Sequence, residues 1–114
     1  MNKHTHLIGI GGIGMSCIAS LLLRRGVKVS GSDVKESRIT VELKKMGADV
    51  FLGHASGNVT DADLVVYSSA VKDDNPEVIE AKKKGIPVIK RAEALAQLMA
   101  EKTAITVTGS HGKT

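Results

Sequence analysis

The chain has 114 residues, 42% hydrophobic and 25% charged, with a formal net charge of +4. That length supports one compact domain burying roughly two-thirds of the surface of its unfolded chain. The basic balance does not point to nucleic acid: Phe51 and Tyr67 are the only aromatic residues, too few to stack single-stranded bases, and Arg24, Arg25, Lys44, Lys45 and Lys82 to Lys84 fall on expected helix surfaces. Cys17 is the sole cysteine, which excludes a disulfide framework, and its place among Met15, Ile18, Leu21 and Leu22 reads as a small core position. No apolar stretch is long enough for a bilayer, and residues 1–6 lead into a strand without a signal-peptide core, so no membrane partner and a cytoplasmic location are expected.

In chain order, strand-like and helix-like segments alternate. A strand is expected over 6–10, then a helix over 13–25 ended by Gly26, a strand over 28–31, and a helix over 37–46 closed by Gly47. A short strand over 50–52 follows, then the β-branched run Leu64, Val65, Val66, Tyr67, suited to a buried parallel strand. Asn75 and Pro76 read as the N-cap and first residue of a helix stopped by Gly85. A strand over 86–89, a helix over 92–101 and a strand over 104–107 complete the series. This is the alternation of an α/β fold: a Rossmann-like, three-layer domain with a parallel sheet of about five strands flanked by helices. The boundary is expected near Lys102, with 1–102 forming the first domain and 103–114 the opening strand and loop of a second.

Two glycine motifs carry the chemistry. Gly9-Ile10-Gly11-Gly12-Ile13-Gly14 follows the first strand and opens the first helix. In that setting Gly9 permits the tight turn, Gly11 lets backbone approach a diphosphate, and Gly14 lets the helix pack on the strand. Asp33 falls 19 residues after Gly14, at the end of the second strand, where such a motif expects an acidic residue. The competing reading is a turn or cap residue. The second motif, Gly109-Ser110-His111-Gly112-Lys113-Thr114, has the Gly-Lys-Thr core of a triphosphate loop, although the position five before Gly112 is Val107 and the full spacing is absent. No helix follows Thr114, so the chain reads as a fragment in which ATP binding fails and order is lost from Thr108 onward. His4 and His6 share a face of an extended strand but lack the carboxylate or cysteine companions of a metal site.

The two loops in this order, with Met15-Ser16, Gly31-Ser32-Asp33, Ser68-Ser69-Ala70-Val71 and Asn75-Pro76-Glu77 between them, resemble the N-terminal part of the Mur ligase family over the whole chain. The resemblance implies a UDP-sugar-binding domain, followed in the family by an ATPase domain and an amino-acid-binding domain. It also implies that UDP-N-acetylmuramate is held by Gly11, Gly12, Ile13, Gly14, Met15 and Ser16 at its diphosphate, and that Ser32, Asp33, His54, Ser68, Ser69 and Ala70 face the uridine. In the intact enzyme Gly109, Ser110, His111, Gly112, Lys113 and Thr114 would bind ATP, with Thr114 on Mg2+, so that the lactyl carboxylate becomes an acyl phosphate attacked by L-alanine. His111 is similar to the alanine-adding branch, and the branch that recycles murein peptides stays open. The fragment itself is expected to bind the UDP-sugar and not to catalyse. The readings that compete are a dinucleotide-binding oxidoreductase domain or nucleotide-sensing module, in which Asp33 holds an adenosine ribose, and a scaffold without ligand. His54 and the serines read otherwise as a loop histidine and caps.

Overall fold

A computed structural model describes the backbone of residues 3–110 and the side chains of residues 3–100. The strands are β1 (His4–Ile8), β2 (Lys28–Asp33), β3 (Asp49–Leu52), β4 (Leu64–Tyr67) and β5 (Val88–Lys90). The helices are α1 (Ile13–Arg24), α2 (Arg38–Met46), α3 (Pro76–Lys83) and α4 (Arg91–Ser110), with a 3-10 turn at Ser56–Val59 between β3 and β4. All strand pairs are parallel, in the order β3-β2-β1-β4-β5. This is the expected Rossmann-like α/β fold, and its order reverses direction between β1 and β4, where such sheets open a crevice at their carboxyl ends.

Side-chain alternation along the strands builds a core on each face. Leu7 and Val66 point into one cluster with Ile10, Ile18, Leu22 and Leu43 from the α1 and α2 side and Ala94 and Leu98 of α4. Ile8 and Val65 point into the other, with Val59 of the 3-10 turn and Val78 and Ala81 of α3. Each fully buried aliphatic side chain contributes about 1.5–3 kcal/mol relative to exposure. Local signals set the helix ends: Ser37 accepts from Thr40 N in a reciprocal capping box, Asn75 accepts from Glu77 N ahead of Pro76, and α2 closes on left-handed Gly47.

The structure departs from expectation in four places. β1 begins at His4 instead of residue 6 and ends at Ile8, because the rings of His4 and His6 have buried partners and need no water. β5 starts after Pro87, at Val88, since proline has no N–H for a ladder. Cys17 is exposed, because the buried stripe of α1 is Met15, Ile18, Ala19 and Leu22 and residue 17 falls off it. The strand expected over 104–107 is helix: α4 runs unbroken through Ser110. Among the described residues no strand lies beside this segment to pair its backbone, whereas a helix closes those hydrogen bonds internally. Thr108, Gly109 and Ser110 belong to the same helix; residues 111–114 lie outside the described residues.

Candidate functional site

The crevice is built from the turn after β1. Gly9 takes φ +83°, a left-handed value that only glycine adopts freely, and turns the chain away from the sheet. Its amide and that of Ile10 donate to Ser32 O at 2.8 and 3.0 Å, tying the turn to the end of β2. The Gly12 amide donates to Gly9 O at 3.0 Å. Gly11 N–H donates to Asp33 Oδ2 at 2.8 Å, and Val34 N–H donates to Asp33 Oδ1 at 2.7 Å. A Cβ on residue 11 would stand 2.5 Å from Asp33 Oδ2, so glycine is required there by close approach.

These bonds use up the amides of Gly11 and Gly12 within the chain. Helix α1 then starts with no side-chain cap on Gly12, and its first internal bond runs from Ser16 N to Gly12 O. The amides of Ile13, Gly14 and Met15 have no acceptor among the described residues, unlike the first turns of α2 and α3, which their cap residues serve. Ser16 Oγ donates back to Ile13 O, and the Ile13 side chain is 82% exposed. Three amides at the positive end of a helix dipole suit an anion, an interaction worth up to about 2 kcal/mol when partly buried. A cation stands beside them: the space that a Cβ on Gly14 would fill holds the Arg91 side chain, with Nη1 2.9 Å and Cδ 2.8 Å from that point.

The opposite wall is the turn after β4. Ser68 lies against Gly9, its Oγ 3.8 Å from where a Cβ of Gly9 would sit, and its carbonyl accepts from Val71 N–H; Ser69 and Ala70 are exposed in the same turn. Gly9 to Ser16, Asp33 and Ser68 thus converge at the carboxyl ends of β1, β2 and β4. Gly109 and Ser110 lie in α4.

Ser32 and His54 belong to a second construction on the α3 face of the sheet. Glu77, fully buried at the start of α3, accepts from His6 Nε2 at 2.6 Å and from Ser32 Oγ at 2.7 Å on Oε1. Its Oε2 accepts from Ala55 N at 3.0 Å and from Asn58 Nδ2 at 2.9 Å. Burial opposes its charge, but hydrogen bonds from His6, Asn58 and Ser32 outweigh that and hold its pKa down to about 2. Ser32 Oγ also meets His54 Nδ1 at 2.8 Å, while on the inner side His6 Nδ1 and His4 Nε2 both meet Ser30 Oγ, at 2.8 and 2.9 Å. The line ends at exposed Asp61, 2.9 Å from His4 Nδ1; the backbone hydrogen bond of Asp61, then that from His4, lowers its pKa.

Glu77, quoted from the sequence only within Asn75-Pro76-Glu77, and Arg91 were given no role in the site by the sequence. The signal for Glu77 was the alternation His4-Thr5-His6 in a strand buried on both faces, since two buried imidazoles need partners. Arg91 carried no signal, because its approach to Gly14 depends on where α4 crosses α1.

Comparison with known proteins bears on the fold and the family. The model of the Mur ligase family, catalytic domain, matches residues 4–103. The UDP-N-acetylmuramate–L-alanine ligase of Persephonella marina is 57% identical over 112 residues, which cover 98% of this chain and 24% of that protein. The structure of UDP-N-acetylmuramate-alanine ligase MurC from Thermotoga maritima superposes with TM-score 0.85 at 36% identity, covering 88% of this chain and 23% of that one. A murein peptide ligase from Psychrobacter arcticus superposes with TM-score 0.76 at 27% identity, covering 84% and 20%. The chain spans about a quarter of the length of the curated relatives it matches. With its glycine turn, uncapped α1 and parallel sheet order accounted for, the chain belongs to the Mur ligase family.

Proposed function

We propose that this chain is the UDP-N-acetylmuramate-binding domain of a cytoplasmic, ATP- and Mg2+-dependent ligase that joins L-alanine to the sugar nucleotide in peptidoglycan biosynthesis. The observation that carries the reading is the set of first-turn amides of Ile13, Gly14 and Met15 without acceptors, with Arg91 against Gly14 and Asp33 anchored beside them. The diphosphate sits on those amides and the Arg91 guanidinium, and one ribose hydroxyl donates to a lone pair of Asp33 not used by Gly11 and Val34. Ser68, Ser69 and Ala70 form the opposite wall. The higher identity with the alanine ligase structure than with the murein peptide ligase supports the alanine-adding branch. The division of the chain at 102/103 and the roles of Gly109 to Thr114 toward ATP, with Thr114 toward Mg2+, belong to the intact ligase, as does catalysis.

The test is an NMR titration of the labelled chain, first with UDP-N-acetylmuramate and then with NADH. Amide shifts at Ile13 to Met15 and around Asp33 with the UDP-sugar alone are expected. Shifts with NADH alone would transfer the chain to dinucleotide chemistry, a reading that its ligase relatives do not favour, and no shifts with either would overturn a nucleotide role.

A further inference from the structure

The hydrogen-bond pattern around Ser32 assigns a proton that no distance alone reveals. The Ser32 hydroxyl has one hydrogen and two neighbours, Glu77 Oε1 at 2.7 Å and His54 Nδ1 at 2.8 Å. Glu77 is an ionised carboxylate and can only accept, so the Ser32 hydrogen points to it. The Ser32 oxygen is then left as an acceptor toward His54, and Nδ1 of that ring must carry the hydrogen. In the neutral ring the unprotonated nitrogen is therefore Nε2.

That nitrogen is the outlet of the network. Both Glu77 oxygens are occupied, by His6 and Ser32 on one side and by Ala55 and Asn58 on the other. His54 Nε2 has no partner among the described residues, and the His54 side chain is 21% exposed. The ring follows Gly53, whose amide donates to Asp33 O at 2.7 Å, so it stands next to the end of β2 that carries the candidate ribose acceptor.

We propose that Ser32 and Glu77 are positioning residues that lock His54 as its Nδ1–H tautomer, so that Nε2 accepts a hydrogen bond from a donor on the nucleoside end of the ligand. This rests on the sugar-nucleotide reading of the site. The donor is an imide N–H of the base or a hydroxyl of the ribose, and a site built with a fixed acceptor at this point discriminates against nucleosides that present an acceptor there.

The experiment begins with the ligand-free chain: long-range 1H–15N correlation spectra of the His54 ring at neutral pH. A protonated-type Nδ1 and an unprotonated-type Nε2 are expected, and the reverse pattern overturns the proposal whatever the ligand does. In Ser32→Ala the ring loses its 2.8 Å acceptor and keeps only Glu77 Oε2, 3.5 Å from Nδ1, so the spectrum should move toward the Nε2–H tautomer that free imidazole side chains prefer; an unchanged tautomer would mean that Ser32 does not position the ring. UDP is then titrated into both proteins. Binding should shift Nε2 of His54 in the wild type, and Ser32→Ala should bind about fivefold more weakly, the worth of one neutral hydrogen bond. UDP methylated at the base imide, 2′-deoxy-UDP and 3′-deoxy-UDP separate the candidate donors, since only the analogue lacking the true donor leaves Nε2 unshifted. Shifts at the α1 amides with Nε2 silent for UDP itself would overturn this inference and leave the sugar-nucleotide reading intact. The absence of any UDP shift would overturn both.

Discussion

Acid should unfold this domain chiefly through Glu77. The carboxyl is fully buried and its pKa falls from 4.5 to about 2 on folding. A folded-state pKa below the unfolded value means that the unfolded chain binds the proton first. The stabilisation is thus complete above pH 4.5 and is lost as the pH falls through about 2. Converted at about 1.4 kcal/mol per unit, the shift corresponds to about 3 kcal/mol, a sizeable part of the roughly 5–15 kcal/mol that holds a domain of this size together. Urea unfolding followed by far-UV circular dichroism at pH 7, 4.5, 3 and 2 measures it. Glu77→Gln is the control, because it cannot titrate. The variant starts less stable at pH 7: an amide nitrogen in place of either oxygen meets the donors of His6 and Ser32 or of Ala55 and Asn58, at about 1–3 kcal/mol for each bond unmade. Its loss of stability between pH 4.5 and 2 should be smaller than the wild type's by about 3 kcal/mol. Equal losses in the two proteins would refute the assignment and transfer the acid sensitivity to other carboxylates.

Three further substitutions test the site and the core. Gly11→Ala puts a Cβ 2.5 Å from Asp33 Oδ2, displacing that carboxylate, and should weaken UDP-sugar binding about tenfold or more by calorimetry; unchanged affinity would show that Asp33 does not face the ligand. Arg91→Ala removes an exposed side chain, so Tm should hold while UDP-sugar affinity falls about tenfold at low salt and less at high salt, as for one charge-assisted contact. A salt-independent or absent effect would remove Arg91 from the diphosphate site. Leu22→Ala empties a position with 0% exposure and should lower unfolding free energy by about 2–5 kcal/mol in urea titrations; a loss under 1 kcal/mol would mean that α1 repacks freely.

The sheet and the glycine turn were legible because each rests on short-range chemistry. Gly9, Gly47 and Gly85 take the left-handed φ their positions suggested, and Asn75-Pro76 opens α3 as a cap and first residue should. The spacing from the glycine motif pointed to Asp33 and the family resemblance to Ser68, and both lie against the turn after β1. Less legible were features set by contacts distant in sequence. Gly11 and Gly12 spend their amides inside the turn, which moves the free donors to Ile13, Gly14 and Met15; nothing in a glycine pattern states which amides are already taken. Glu77 stood in the Asn75-Pro76-Glu77 motif without a role, because its partners lie 71 residues upstream, at His6, and 45 upstream, at Ser32. The segment over 104–107 has strand-forming residues, yet a strand exists only beside another strand, and that information lies in its neighbours.

The buried carboxylate also explains why a histidine in a short loop is a credible part of a binding site. Loops drift unless something rigid holds them, and a contact that must be placed within about half an ångström needs support from helices and strands. Glu77 supplies that support from α3: it grips the loop after β3 through Ala55 N and Asn58, β2 through Ser32, and β1 through His6. Replacing a buried ion pair by apolar side chains is often neutral for stability. Here an apolar residue at position 77 would strand four donors on three separate elements, each costing about 1–3 kcal/mol, so no simple hydrophobic exchange releases the loop while preserving the fold. Stability and the orientation of His54 are therefore tied to the same four hydrogen bonds, and a chain that keeps its fold through them keeps its loop histidine aimed.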